Sequence, residues 1–340
     1  MATRLAIDGL PSAGGGWRPA IALFALTALG LFLRLWGIDR LLPHDVEPDS
    51  RITLQIEVLR GNAAEARKGS HFAKYPLLLA YLGVVWPRDP PQAPGENAPL
   101  SEHLASASEP LLHARRMLAT MSSLLVPLTY LLARRFLTWR WAVHAAFLMA
   151  VSPAHIWYAQ QARPHATFAA VAVLAMLGCI GLIHGRSRLS WLLAGGSVAL
   201  AIGTLQSGIA LLFPLVTAAG MRLRQERWAR PLRAALGLLP LLAIVPLCYP
   251  FLWQAGSQDS PAARFEIEGT RVRQAGHQVD LAFFGGAGAS RLVAIFASYE
   301  PWLLCGSLLA TGWFVRDRFR KQTWRVSEQL LVILSFTIPY

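Results

Sequence analysis

Of 340 residues, 54% are apolar and only 15% are charged, against about 25% charged in a soluble domain. The apolar residues gather in blocks long enough to cross a hydrocarbon core of about 30 Å as helices, which excludes a soluble enzyme, a secreted disulfide scaffold and a disordered chain. The formal charge of +13 suggests nucleic acid until its placement is read: the arginines stand where apolar blocks end, the pattern that orients a membrane protein.

In chain order the pattern predicts spans over about 19–37, 116–133, 141–158 and 166–184. The block 189–221 is too long for one crossing and is expected to break near Gln206-Ser207-Gly208 into two short spans. Further spans follow over about 234–253 and 293–315, and a ninth begins near 328 and is cut by Tyr340. The first block is long and lacks a small-residue cleavage site, so it reads as a retained span. Cys179, Cys248 and Cys305 fall inside apolar blocks at unrelated spacings and read as packing residues, not ligands or bridges.

Charge tests the layout. With the N-terminus in the cytoplasm, the short inner loops hold Arg134, Arg135 and Arg140; Arg186 and Arg188; Arg222, Arg224, Arg227, Arg230 and Arg233; and Arg316, Arg318, Arg320, Lys321 and Arg325. All four loops are basic, as the positive-inside rule requires, and fifteen of the 19 acids fall on the other side. One span more or fewer would flip half of these loops. No internal repeat and no separate soluble domain is visible, so the whole chain, 1–340, is expected to form one polytopic membrane domain.

Two outer segments are long enough to carry chemistry, 38–115 and about 254–292. The first opens with His44-Asp45-Val46-Glu47-Pro48-Asp49-Ser50. Pro48 suits a first helical turn, and Ile52, Ile56 and Leu59 form an apolar stripe ending at Gly61, so an amphipathic helix with Asp49 at its start is predicted. An acid there complements the helix dipole in any protein, so position alone does not make Asp49 functional. The cluster His71-Phe72-Ala73-Lys74-Tyr75-Pro76 precedes an eleven-residue apolar run, Pro76 to Trp86, which is too short to cross and is expected to lie at the interface. From Pro87 to Pro110 irregular chain is expected.

Arg115 and Arg116 open the second span on its outer side, and Arg163-Pro164-His165 forms the outer turn between spans three and four. Arginines there run against the positive-inside bias and need partners: phosphate through bidentate bonds, loop carboxylates, or anionic lipid. Arg34, near the outer end of span one, is expected to snorkel to the interface. In the second outer segment Arg264, Glu266, Glu268, Arg271, Arg273, His277 and Asp280 alternate in charge and read as surface, with no ligand spacing for a metal at His277. Walker A, Rossmann, HExxH and GxSxG motifs are all missing, which argues against an ATP-driven transporter, a soluble nucleotide-sugar enzyme, a zinc protease and a serine hydrolase.

Four stretches in register resemble the GT-C membrane glycosyltransferases that use polyprenyl-phosphate-linked sugars, in particular the bacterial protein-O-mannosyltransferase-like and lipid A aminoarabinose transferase-like members. They are Glu47-Pro48-Asp49-Ser50 through Arg60-Gly61; Phe72-Ala73-Lys74-Tyr75-Pro76-Leu77-Leu78; Ala114-Arg115-Arg116; and Ser152-Pro153 through Gln160-Gln161-Ala162-Arg163-Pro164-His165. Ser50 departs from the second acid that many members carry, and relatives usually continue past the ninth span, which implies a shortened product here.

The resemblance implies an all-α GT-C helical bundle with interfacial helices in the first outer loop. It implies an inverting transferase of the bacterial-type cytoplasmic membrane, its site on the periplasmic face, with a protein, lipid or envelope glycan as acceptor and no nucleic acid. Asp49 is then the general base, with Glu47 and Asp45 beside it. Lys74, Arg163, Arg115 and Arg116 would meet the donor phosphate. His71, His165 and Tyr75 would contact the acceptor or, with the acids, a divalent cation. The alternatives are a lipid-linked sugar carrier or flippase and a catalytically inactive membrane partner. Mostly uncharged span centres weigh against a carrier.

Overall fold

The computed structural model describes residues 17–40, 42, 51–61, 75–88, 95, 97–185, 187–226, 232–249, 265–268, 271–274, 277–280 and 328–335, with scattered positions between 290 and 316. Among the described residues four helices are long and apolar enough to cross a membrane: Trp17–Leu35, the continuous Leu100–Ala133, His165–His184 and Gln206–Gln225. Two shorter apolar helices, Arg188–Thr204 and Leu232–Cys248, stand beside them. The chain is a helical membrane protein.

Helix α1 (Trp17–Leu35) exposes Trp17, Phe24 and Phe32 and buries only Pro19, Gly30 and Arg34, the surface expected of a helix solvated by lipid. Helices α2 (Arg51–Gly61) and α3 (Leu78–Val85) match the predicted amphipathic and interfacial helices of the first outer loop. Helix α4 spans Leu100–Ser123 and continues through Leu124 into α5, Leu125–Ala133. This corrects the expectation of irregular chain up to Pro110. The prolines crowd into 87–99, and Ser101–Glu109 is free of proline and holds two Ala, two Glu and one Leu, all strong helix formers. At about 1.5 Å per residue the 34-residue unit is about 50 Å long, so it projects well beyond a hydrocarbon core of about 30 Å.

The predicted third span is not one helix. Helix α6 runs Trp139–Ala150 and α7 runs Pro153–Ala159. Pro153 causes the break: proline disfavours helical backbone at the residue before it, and Ser152 is non-helical with φ −58° and ψ 114°. Helix α8 (His165–His184) is followed by α9 (Arg188–Thr204), and the break expected near Gln206 is present. Leu205 is extended, residues Gln206–Leu211 form a 3-10 turn, and α10 (Leu212–Gln225) follows. Helix α11 is Leu232–Cys248 and α12 is Glu328–Ser335. Helices α9 and α11 cross so closely that a Cβ on Gly195 would overlap the Gly237 carbonyl oxygen, the small-residue contact that membrane helices use. The main core of α8 to α12 closes around Trp191, Ile180, Leu182, Ile183 and Leu211.

Within the second outer segment, strands β1 (Phe265–Glu268), β2 (Arg271–Gln274) and β3 (His277–Asp280) form an antiparallel meander. The register sets Glu266 opposite Arg273 and Arg271 opposite Asp280. The alternating charges read as plain surface are therefore the period-two signature of strands, and to that extent the all-α expectation is corrected.

Contacts between the helix ends sort into two groups that agree with the span parity read from charge. At one end Leu77 N–H donates to the Cys248 carbonyl (3.0 Å) and the Tyr81 hydroxyl to that of Leu247 (3.3 Å). At the other, Gln329 bonds His184 (2.9 Å) and Gln225 bonds Glu328 (3.1 Å). A lost or added span between these partners would put them on opposite sides.

Candidate functional site

The four motif stretches converge. One buried apolar cluster contains Ile52 and Ile56 of α2, Tyr75 and Leu77 before α3, Ala114 of α4, and Ala162 of the turn before α8. Each is in, or directly beside, one of the stretches that carry the candidate chemistry. Burial of these side chains thus brings the start of α2, the Lys-Tyr-Pro segment, the outer end of α4 and the Arg-Pro-His turn to one end of the bundle. Polar bonds tie the same helices. Gln55 Nε2 donates to the Tyr75 carbonyl (3.1 Å), and the Gly83 carbonyl accepts from Arg60 (2.9 Å) and from His113 Nε2 (3.1 Å). Arg88 pairs with Glu57 at 2.6 Å.

The exit of α1 is held from several sides. Gly37 takes φ +67°, the left-handed conformation that favours glycine just past a helix end. Gln160, which ends α7, donates Nε2 to the carbonyls of Leu33 (3.3 Å) and Trp36 (2.8 Å). Arg115 donates to those of Ile38 (3.1 Å) and Arg40 (3.4 Å). Helix C-terminal carbonyls lack partners within the helix, so these side chains fix the course of the chain from Leu33 to Arg40.

Arg34 corrects the snorkelling expectation. It is fully buried and donates to the carbonyls of Gly30 (2.7 Å), Met149 (3.2 Å) and Ala150 (3.3 Å) and to His155 Nδ1 (2.8 Å). Two of those carbonyls end α6, where a cation meets the negative end of the helix dipole. The break at Pro153 exposes them; Arg34 satisfies them.

Of the predicted site residues, Asp45, Glu47, Asp49, His71 and Lys74 lie outside the described residues. Tyr75 is buried in the shared cluster, which places it in the core and not on an open acceptor surface. Arg115 is buried and donates to the Ile38 and Arg40 carbonyls. Arg116, the next residue on α4, is exposed. Arg163 is half-buried in the turn before α8. His165 begins α8, exposed, its ring tilted against Tyr158 with centroids 6.0 Å apart. Among the described residues no three His, Cys, Asp or Glu side chains are grouped as metal ligands.

Sequence reasoning missed Glu300. It is buried, accepts from the Ser152 hydroxyl (2.5 Å) and the Ala154 amide (2.9 Å), and among the described residues has no ion pair. The signal was present: an acid inside the apolar block 293–315 is costly and marks a position with a purpose. Comparison with protein-family models, curated proteins and solved structures finds no match for this chain.

Proposed function

We propose that this protein is an inverting glycosyltransferase of the GT-C type, moving a sugar from a polyprenyl-phosphate donor to an acceptor hydroxyl on the outer face of the membrane. The observation that supports this reading best is the convergence of the four motif stretches on the cluster of Ile52, Tyr75, Ala114 and Ala162. Residues remote in sequence thereby share one end of the bundle, the end that the charge reading makes the outer one.

The acceptor oxygen attacks the anomeric carbon as the bond from that carbon to the phosphate oxygen breaks. Asp49 takes the acceptor proton, and polyprenyl phosphate leaves with the bonding pair. The leaving phosphate needs positive charge more than a proton, which Lys74, Arg163 and Arg116 would supply from fixed positions. Glu47 and Asp45 would orient the acceptor. Arg115 is a positioning residue, holding the exit of α1 through Ile38 and Arg40.

The test is transfer from a panel of radiolabelled polyprenyl-phosphate sugars in membranes holding equal amounts of folded wild type or Asp49→Asn. Transfer by wild type that falls by about 100-fold or more in the variant supports the enzyme and its base. Equal transfer removes Asp49 from the mechanism, and no transfer by either chain counts against the enzyme.

A lipid-linked sugar carrier is the second reading, favoured by the interrupted spans α6–α7 and α9–α10. Broken helices often mark transport sites. Here the α6 carbonyl end and the α7 amide end are already occupied by Arg34 and Glu300. A carrier would translocate labelled donor in the same membranes without releasing polyprenyl phosphate.

A further inference from the structure

We propose that Glu300 is a positioning residue for the outer site, acting through the short helix α7. This rests on the transferase reading for its functional consequence, while its structural part stands on the geometry alone. Helix α7 has seven residues and is gripped at both ends. At its start, one oxygen of Glu300 accepts from the Ser152 hydroxyl and the Ala154 amide. The Ser152 hydroxyl oxygen in turn accepts from the His155 amide (3.2 Å), and His155 Nδ1 accepts from Arg34 (2.8 Å). At its finish, Gln160 holds the Leu33 and Trp36 carbonyls at the exit of α1. Helix α7 is therefore a strut about 10 Å long between Glu300 and the exit of α1 at Leu33 and Trp36.

Packing alone does not account for an acid at this place. A buried carboxylate without a cation partner loses its hydration, and a leucine would fill an apolar block at no such cost. What the carboxylate supplies is an acceptor for a hydroxyl and an amide at the break made by Pro153, where the first amides of α7 have no helical partner. The Leu304 amide donates to the Glu300 carbonyl (3.0 Å), so the residue is fixed by its own backbone turn. Movement at Glu300 is transmitted along α7 to Gln160, and from there to the exit of α1.

Glutamine keeps the accepting oxygen and alanine removes it, so Glu300→Gln and Glu300→Ala separate the hydrogen bonds from the charge. Two readouts are taken on the full chain in lipid nanodiscs: amide hydrogen exchange over 152–160 and steady-state glycosyl transfer. Glu300→Ala should speed exchange over 152–160 by about tenfold or more, with 165–184 unchanged, and Glu300→Gln should resemble wild type. In transfer, Glu300→Ala should lower kcat by about 100-fold, the scale of a 1 Å misplacement, with donor KM nearly unchanged. Glu300→Gln should stay within about threefold of wild type, since it restores both bonds.

Unchanged exchange in Glu300→Ala would overturn the proposal whatever the activity. Glu300→Gln as inactive as Glu300→Ala, but with wild-type exchange, would also overturn it by making the charge itself the functional group. Wild-type chain with no transfer but faster exchange in Glu300→Ala would retain the strut and refute the transferase reading. If Glu300→Ala does not accumulate, the glutamine variant decides: faster exchange in folded Glu300→Gln would refute the hydrogen-bond account.

Discussion

The two ends of this bundle are joined by different kinds of bond. At the end where the motif stretches meet, the outer end in the charge reading, bonds from side chain to backbone predominate, Arg34 to Met149 and Ala150, Arg115 to Ile38 and Arg40, Gln160 to Leu33 and Trp36, beside the side-chain pairs Arg88–Glu57, Ser152–Glu300 and Arg34–His155. At the inner end, side chains reach for one another: Arg222 to Glu226 (2.6 Å), Arg233 to Glu226 (3.4 Å), Gln225 to Glu328 and Gln329 to His184. A bond to a carbonyl fixes the path of the main chain. A bond between two side chains leaves the path of the main chain free, and either partner can be replaced if the other changes with it. The outer end is thus built to hold loops in place and the inner end to hold helices in register.

The sharpest break in this comparison is a charge exchange. Arg34→Leu removes the donor from the Met149 and Ala150 carbonyls at the end of α6, each costing about 1–3 kcal/mol when left unmet, so little folded protein should survive solubilisation. No second substitution can repair this, because the acceptors are backbone. At the inner end Glu226→Arg should also destabilise by about 1–3 kcal/mol, by setting three arginines together in a half-buried place. Adding Arg222→Glu should restore most of that loss, because the pair is re-formed with its sign reversed. Unfolding by SDS titration in mixed micelles measures both cases. Failure of the inner exchange to recover stability would erase the distinction.

A smaller effect is expected at Gln160. Gln160→Ala leaves the Leu33 and Trp36 carbonyls without their donor, and Trp36 lies near water that can replace it. Stability should fall by only about 0.5–1.5 kcal/mol. Glycosyl transfer should fall by more than that loss would suggest, about tenfold in kcat, because the exit of α1 aims the acidic segment. Stability loss without a change in transfer would make Gln160 an ordinary helix cap.

The spans were legible because apolar length and arginine placement are one-dimensional signals, and so was the break before Gly208, which divides a block too long for one crossing. The α6–α7 break was also written in the chain, since Pro153 must interrupt a helix, but the apolar run on both sides masked it. The outward extension of α4 was hidden because composition averaged the helix-forming Ser101–Glu109 with the prolines before it. The distant partners of Arg34 and Glu300 could not be read: Met149, Ala150 and His155, and Ser152 and Ala154, lie more than a hundred residues away in sequence, around the break at Pro153. At the candidate site the segments that converge were legible from their motifs. The role of Arg115 was not, since a guanidinium suits a phosphate and a row of carbonyls equally well.

The smallest effect tests the inner end at its most exposed contact. Gln225 donates to Glu328 across two helices, α10 and α12, and the bond is open to solvent. Water replaces such a bond almost without loss, so Gln225→Ala should change stability by no more than about 0.5 kcal/mol. Helix α12 should stay docked, because Val332 is fully buried in the core shared with α8 and α10. The same SDS titration checks this, and Gln160→Ala is the fair control, since both variants remove one glutamine amide from a helix end. If Gln225→Ala costs as much as Gln160→Ala, the target of the bond, backbone or side chain, is not what separates the two ends. If it costs nothing measurable, the side-chain contacts at the inner end act by orienting the helices during insertion, and apolar packing keeps them together afterwards.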